Sequence, residues 1–590
     1  MKIFDKIKKL GEKGIVLPLV LSYSLVFTAQ ITGLAEYASH TQRLVQSQQN
    51  QMTSFYLAEA AAEKTVAAVR LYIAQNGISP SSSVLTTLSA APNISSSGAS
   101  YTTASVASFG SGGWTSKTLS SGDYSGLSAS TQTVNIVASA TDNKGGVTHN
   151  TTVSQTLEVQ LIPIFQFGVF YQEDLEIQPG ATMTFAGPVH TNGNLYVGVD
   201  SSTSSLSFQS SITAYGTILH ARKGPGTLGT GAVNIEDSSG TYQNMYLGSG
   251  AGQGWLDSGH SSWATMSQTR WGGNVLNAAQ DVKKLTLPLP STTDYHTLIE
   301  RRVSGESSQL QAEKMDYKAN VRIIDGSILD QNGTTIELRY CSGGGTYNSS
   351  NNTCPGSQTV VNPVSTAQFY NFREGKTVKA TDIDIAKLNS SPSFTALVNA
   401  NNGVVVYFSD SRSSGSSTYQ DSVRIINGSQ LPTKGLTVAS ENPMFVKGSF
   451  NTTSKQPSGL VSDAFNILSG NWSDTNSTNT GLSGKTATAT TINTTVITGN
   501  TDTTSGQYNG GFENIHRMHE NWSGVNLTYS GSVIVLYNST KATGNWVYGG
   551  NYYTAPNRIW SYDTSLSGGT TSIPGFPSVF NVAKAGYEAT

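Results

Sequence analysis

The chain opens with a basic stretch, MKIFDKIKKLGEKG, in which Lys2, Lys6, Lys8, Lys9 and Lys13 outweigh Asp5 and Glu12. An apolar run with no charge follows from Ile15 to Leu34. As a helix rising about 1.5 Å per residue, that run spans roughly 30 Å, the thickness of a bilayer core. A polar middle, SHTQRLVQSQQNQ, comes next. Met52, Phe55, Ala62, Val66, Val69 and Ile73 then recur at steps of three, four or seven, which is one helix face, with Glu59 as its polar interruption. Asn76-Gly77, with Pro80 beyond, marks a helix end. The pattern predicts a basic leader over 1–14 and one long helix over 15–75, transmembrane to about residue 34 and packed on a domain in its last third. The basic flank stays cytoplasmic, so everything after the helix is exported. A secretory signal would have a shorter apolar core and a small-residue cleavage site, and this run flows on without a break.

The period then changes from helical to strand-like. Residues 81–130 are rich in Ser, Gly and Thr and read as partly loop. QTVNIVASA, the turn DNKGG and VTHNTTVSQTLEVQL form a hairpin pattern. This predicts a small β domain over 76–161 packed on the helix. From Ile162 onward, short apolar runs such as NVRIID, GVVVYFSD, SVRIING and GSVIVLYN are split by Pro-Gly and Asn-Gly turns. Short strands joined by polar turns stack into a β-solenoid, each rung burying its inward face on the next. The fold expected is therefore mainly β: a long N-terminal helix with a small sheet, then a large solenoid-like domain over 162–590. A β-sandwich pair is the alternative for that body.

Charge narrows the function classes. Only 12% of residues are charged and the formal net charge is -2, a balance that gives no electrostatic case for nucleic-acid binding, which relies on clustered Lys and Arg. Aromatic residues at 9% argue for a packed body rather than disorder. The two cysteines, Cys341 and Cys354, flank a Gly- and Asn-rich loop that closes easily. In an oxidising exported compartment they are expected to be bridged, which stabilises by about 3 kcal/mol in the chain-entropy model. His516 and His519, with Glu513 and Glu520, fall at helical spacing, but no HExxH pattern accompanies them. An Arg517–Glu520 ion pair or a cap is the plainer reading, and no metal site is assigned. Asp325, Asp330 and Asn332, and Asp382 with Asp384, are the oxygens for which calcium remains possible; turn chemistry accounts for most of them. Calcium apart, no cofactor is expected. No nucleophile elbow, P-loop or Cys-His arrangement is present, so an enzyme is not expected.

Two stretches carry a resemblance. Gly14-Ile15-Val16-Leu17 joins a glycine directly to the apolar run, and FYLAEAAAEKTVAAVR closes the helix. Together they resemble type IV pilins, specifically the PilX-type N-terminal family. GPVHTNGNLYVG, GLTVASENPMFVKGSF, GGFENIHRMHENWSG and YTAPNRIWSYD also look like blocks of large PilX-type pilus-associated proteins. The resemblance implies cleavage by a prepilin peptidase between Gly14 and Ile15, followed by bundling of helices in a filament. Leu19 stands where major pilins carry a glutamate, which fits a minor subunit. The last blocks, with Gly511, Asn514, Arg517, Glu520 and Trp522, and with Asn557, Arg558 and Trp560, are expected to cap the solenoid. The function this implies is a minor, structural or adhesive pilin-like component. It would stand in the inner membrane before assembly and at the cell surface or pilus afterwards. Other pilin subunits, and surface glycans stacked on exposed aromatics, are its expected partners. A secretion-system pseudopilin and a membrane-anchored carbohydrate-binding or carbohydrate-cleaving protein are the alternatives. Within the apolar run, Gln30 is the side chain least able to satisfy itself on its own helix, and it is the expected helix assembly contact.

N-terminal sequencing of the surface form should begin at Ile15. A start at Met1, or after a small residue beyond Leu34, would contradict processing at Gly14.

Overall fold

The computed structural model describes residues 16–590, apart from residues 91, 93–97, 226–227, 251–252, 292, 506, 547–551 and 570. Gly14 and Ile15 lie outside the described residues.

The stem is one helix on one sheet. Helix Val16–Asn76 runs for 61 residues. It ends where Asn76-Gly77 predicts: Gly77 takes φ 64°, and its N–H donates to the Ile73 carbonyl. Its first half is bare, with every residue from Val16 to Val45 exposed. Its second half buries Leu57, Ala58, Ala61, Ala62, Val66, Val69 and Ile73 against strands Ala99–Phe109, Ser128–Asp142 and His149–Pro163. Small side chains at 58, 61 and 62 let the helix lie close on the pleated surface. Met52, expected on this face, is exposed, because the buried stripe begins instead at Asn50 and Ser54. Asn50 donates to the carbonyls of Lys144 and Val147, and Ser54 hydrogen-bonds Thr151, so polar contacts rather than apolar ones start the interface. Part of the stretch read as loop is ordered structure: helix Ser82–Leu88 and strands Ala99–Phe109 and Thr115–Thr118.

The sheet has a strand from the other end of the chain. Ser578–Ala589 pairs antiparallel with His149–Pro163, from Ser578 opposite Pro163 to Ala589 opposite Val153. Lys584 reaches Glu63 on the helix at 2.6 Å, and Arg70 donates to the Val582 carbonyl. The body is therefore inserted between two adjacent strands of the stem. The expected boundary, which gave 162–590 wholly to the body, does not hold at its C-terminal end.

The body is a parallel β-solenoid, not a sandwich. Its first turns carry three strands each. Val169–Tyr171, Leu175–Ile177 and Met183–Phe185 are followed in register by Val189–Thr191, Leu195–Val197 and Ser205–Phe208. The turn between Thr191 and Leu195 needs glycine, since a Cβ on Gly193 would stand 2.5 Å from the Asp174 backbone nitrogen. The rungs do not follow chain order from end to end. The N-terminal run climbs from Val169–Tyr171 to Val275–Leu276. The chain then crosses to the opposite end of the stack and starts again at Val321–Ile324, capped by the antiparallel strand Ser327–Asp330. From there it climbs through Val404–Ser409, Leu436–Ser440, Ser458–Ser462 and Thr495–Asn500 to Val533–Asn538. That last rung docks in parallel on the first, with Val533, Ile534 and Val535 opposite Val169, Phe170 and Tyr171. The body's final rung thus lies mid-stack, against its first, forming a seam.

Strands of the largest sheet are apolar on both faces, as buried parallel strands are. Val404, Val406, Leu436, Val438, Leu460, Val496 and Val533 face the solenoid interior. Val405, Tyr407, Ala439, Val461, Ile497 and Ile534 face outward, where Leu285, Leu287, Leu298 and Ile299 of the crossing segment cover them. Asn192 clamps this segment: its side chain both accepts from Leu285 N–H and donates to Leu285 C=O, each at 2.8 Å.

Because Pro163 and Ser578 are already paired, residues 164–577 can be replaced by a two-residue Asn-Gly turn. That chain should fold its stem to a protease-resistant core. Truncation after Pro163 should not, since it removes Phe580 and Val582 from the stem core, roughly 2–3 kcal/mol of apolar burial. Limited proteolysis of the two chains distinguishes these outcomes.

Candidate functional site

The seam is where separated segments of the chain converge. Tyr171–Glu176 leaves the first rung, Val535–Thr540 leaves the last, Asn500–Thr503 leaves the rung before it, and Lys284–Tyr295 belongs to the crossing segment. Between them lies a cleft of about 830 Å³. Its carboxylates are Glu173, Asp174, Glu176, Asp294 and Asp502, and its cations are Lys223 and Lys284. Most of these groups are held in place. Asp174 accepts from the Asn194 backbone N–H at 2.8 Å and from its side chain at 3.1 Å. Glu176 accepts from Thr503 Oγ1 at 2.6 Å. Asn538 donates to Asp502 at 3.1 Å. Lys223 lies 3.6 Å from Asp174 and 3.5 Å from Asp502, and Lys284 sits over the Tyr215 ring. Glu173 is exposed, and its carboxylate has no hydrogen-bond partner among the described residues.

A buried ionic clip ties the same region together. His296, 3% exposed, faces Glu300 through Nδ1 at 2.8 Å and Asp463 through Nε2 at 3.2 Å. Asp463 is fully buried and also accepts from the backbone N–H groups of Thr540, Lys541 and Ala542. One carboxylate thereby joins the crossing segment, a central rung and the loop after the last rung. Burial works to lower the His296 pKa, but the hydrogen bonds to Asp463 and Glu300 outweigh it and raise the value to about 9. His296 is therefore a cation at neutral pH.

The other residues singled out in the sequence are dispersed. Cys341 and Cys354 are joined, with Cα atoms 5.7 Å apart, in a loop outside the cleft lining. His516 and His519 share no helix, because Phe512–Asn514 is a single short turn followed by strand Arg517–Met518. His516 packs among Phe465, Tyr529 and Trp560, and His519 hydrogen-bonds Asn466 at 2.9 Å. Arg517 does not pair with Glu520. It reaches Glu374 at 2.8 Å, while Glu520 accepts from Ser469 N–H and Oγ at 2.6 and 2.7 Å. Strands point successive side chains to opposite faces, so helical spacing gave the wrong partners. Nor do these blocks cap the solenoid: Gly511 bridges Glu176 of the first rung, so they lie at the seam. Asp325 is forked by Arg301, with both oxygens at 2.6 Å; Asp330 closes a turn onto Asn332 and Thr334; Asp382 pairs with Arg424; and Asp384 caps helix Ile385–Asn389. Among the described residues, no group of three or more His, Cys, Asp or Glu is placed to hold a metal ion. In the apolar run of the helix, Ser22, Ser24 and Thr28 donate to carbonyls of their own helix. Gln30 is exposed and has no such partner among the described residues.

By its topology the chain is a helix-and-sheet stem with an inserted β-solenoid. No protein-family model and no curated protein matches it. Among solved structures, the crystal structure of competence-associated pilin ComZ from Thermus thermophilus is a distant neighbour. It aligns over 92% of this chain and 98% of its own, at 12% identity and a TM-score of 0.25.

The clip gives a signed pH dependence. A histidine whose folded pKa is raised contributes stability that is fully present below its unfolded value of about 6.5. That contribution is lost as pH rises through about 9. Chemical-denaturation midpoints should therefore fall between these two values. His296→Gln should flatten that slope and, by leaving Asp463 buried without its cation, destabilise by about 3 kcal/mol.

Proposed function

We propose that this chain is a minor, type IV pilin-like subunit. In this reading it is held in the inner membrane by its N-terminal helix, packs afterwards among the helices of other pilin subunits, and carries its solenoid outside the cell as a structural and adhesive body. The observation that carries the reading is the division of the helix. Its first third, to Leu34, is apolar and long enough to cross a membrane, and its whole first half is uncovered. Its second half is sheathed by the stem's own sheet. A membrane or a bundle of like helices is the environment that such a bare half suits. A prepilin peptidase would act at Gly14. The reading is non-catalytic, since most carboxylates singled out above serve caps, turns and ion pairs. A secretion-system pseudopilin would share the same stem, and co-purification with pili rather than with a secretion apparatus separates the two.

Gln30→Leu should preserve membrane insertion while reducing incorporation into pili severalfold, measured by immunoblot of sheared filaments against the membrane fraction. The chain with residues 164–577 replaced by Asn-Gly should still enter filaments but lose any adhesion. Normal incorporation of the Leu variant, together with exclusion of the body-less chain, would make the helix a plain anchor.

A further inference from the structure

We propose that the cleft at the seam is a binding site for a neutral oligosaccharide, which rests on the reading of the body as the outward, adhesive part of the chain. Its volume of about 830 Å³ lies in the range of specific ligand sites. Its chemistry selects the ligand class. Five carboxylates face two lysines, and both lysines are already engaged, Lys223 between Asp174 and Asp502 and Lys284 on Tyr215. Polyanions such as nucleic acids and sulfated glycans would meet repulsion, with no free cation among the described lining residues to offset it. A neutral sugar presents hydroxyl groups that both donate and accept. Ionised carboxylates take the donors, and amides such as Gln172 and Asn538 serve both roles. The Glu173 carboxylate is the group best placed to accept, since it has no hydrogen-bond partner among the described residues. The half-buried ring of Tyr295 supplies an apolar face beside these polar groups.

The site is also preorganised. Asp174 directly precedes strand Leu175–Ile177 and Glu176 lies within it, and both are fixed by hydrogen bonds from Asn194 and Thr503. Little ordering is therefore left to charge against binding. Because the walls come from the first rung, the last rung and the crossing segment, the site exists only when the seam is closed.

The test uses the whole purified chain in detergent and three neutral probes, maltohexaose, cellohexaose and N-acetylated chitohexaose, with heparin as the polyanion, by isothermal titration. One neutral probe should bind saturably and heparin should not. Glu173→Gln and Asn538→Ala, both at exposed side chains, should each weaken that binding, the first roughly tenfold, the worth of one charge-assisted hydrogen bond, and the second about threefold, that of a neutral one. Ser291→Trp, which fills the cleft without changing its charge, should abolish it. Failure of all three neutral probes at millimolar concentration overturns the proposal, as does binding that survives these substitutions or stronger binding of heparin. Cell adhesion is scored in parallel. Unchanged adhesion of cells carrying the body-less chain overturns the adhesive reading. Loss there, with normal adhesion of Glu173→Gln cells, overturns the cleft alone.

Discussion

Three residue pairs, Val533–Val169, Ile534–Phe170 and Val535–Tyr171, decide whether the body is one solenoid or two. Every other rung of the large sheet is continuous with its neighbours along either the N-terminal or the C-terminal run. In the large sheet this junction joins the runs, and the Glu176–Gly511 bridge adds a second link beside it. It is reinforced from both sides of the sheet. Inside, Val169, Tyr171, Val533 and Val535 share one core. Outside, Phe170 and Ile534 lie under the crossing segment with Leu285 and Leu287. A parallel strand pair of this length is weak alone, so the seam depends on being covered on both faces. The crossing segment is therefore a structural strap as well as a connection. Its attachment through Asn192 at one point and His296 at another fixes the cleft wall at the same time.

The seam also brings the two ends of the body together, which makes its insertion into the stem possible. A chain entering at Pro163 and leaving at Ser578 must have those residues side by side, because they are partners in the same sheet. In a solenoid that climbed once from end to end, the entry and exit would stand at opposite ends of the stack. Starting mid-stack, crossing over and returning removes that conflict. The two connections then leave the stem from adjacent strands, so the body is fastened to its helix by two covalent links rather than one.

Much of the stem was legible in the sequence because its signals are local. The helical face at Val66, Val69 and Ile73, the stop at Asn76-Gly77 and the Gly145-Gly146 turn each act within a few residues. The solenoid class was legible too, since short apolar runs between Asn-Gly and Pro-Gly turns repeat along the body. What could not be read is which rung touches which. The step from Val275 to Val321 looks like any long loop, and nothing in SVFNVAKAGYEA names His149–Pro163 as its partner. The cleft was invisible for the same reason: Glu173, Asp294, Asp502 and Asn538 are far apart in the chain and meet only through the fold. Local spacing misleads at Arg517 and Glu520, because the chain leaves its short helical turn at Asn514 and Arg517 lies in a strand that ends at Met518, before Glu520.

The topology also constrains how the chain folds. Pairing Ser578–Ala589 with His149–Pro163 directly in an unfolded chain means closing a loop of several hundred residues. Each doubling of loop length costs about 0.6 kcal/mol, so the penalty over a short hairpin is roughly 4 kcal/mol. It disappears once the body has formed, because the seam has then already placed the two ends together. The stem sheet is thus completed most cheaply after the solenoid closes. Until then the helix lacks the contacts of Lys584 and Val582 with Glu63 and Arg70. In the full chain, completion of the sheet that covers the second half of the helix is therefore coupled to closure of the body.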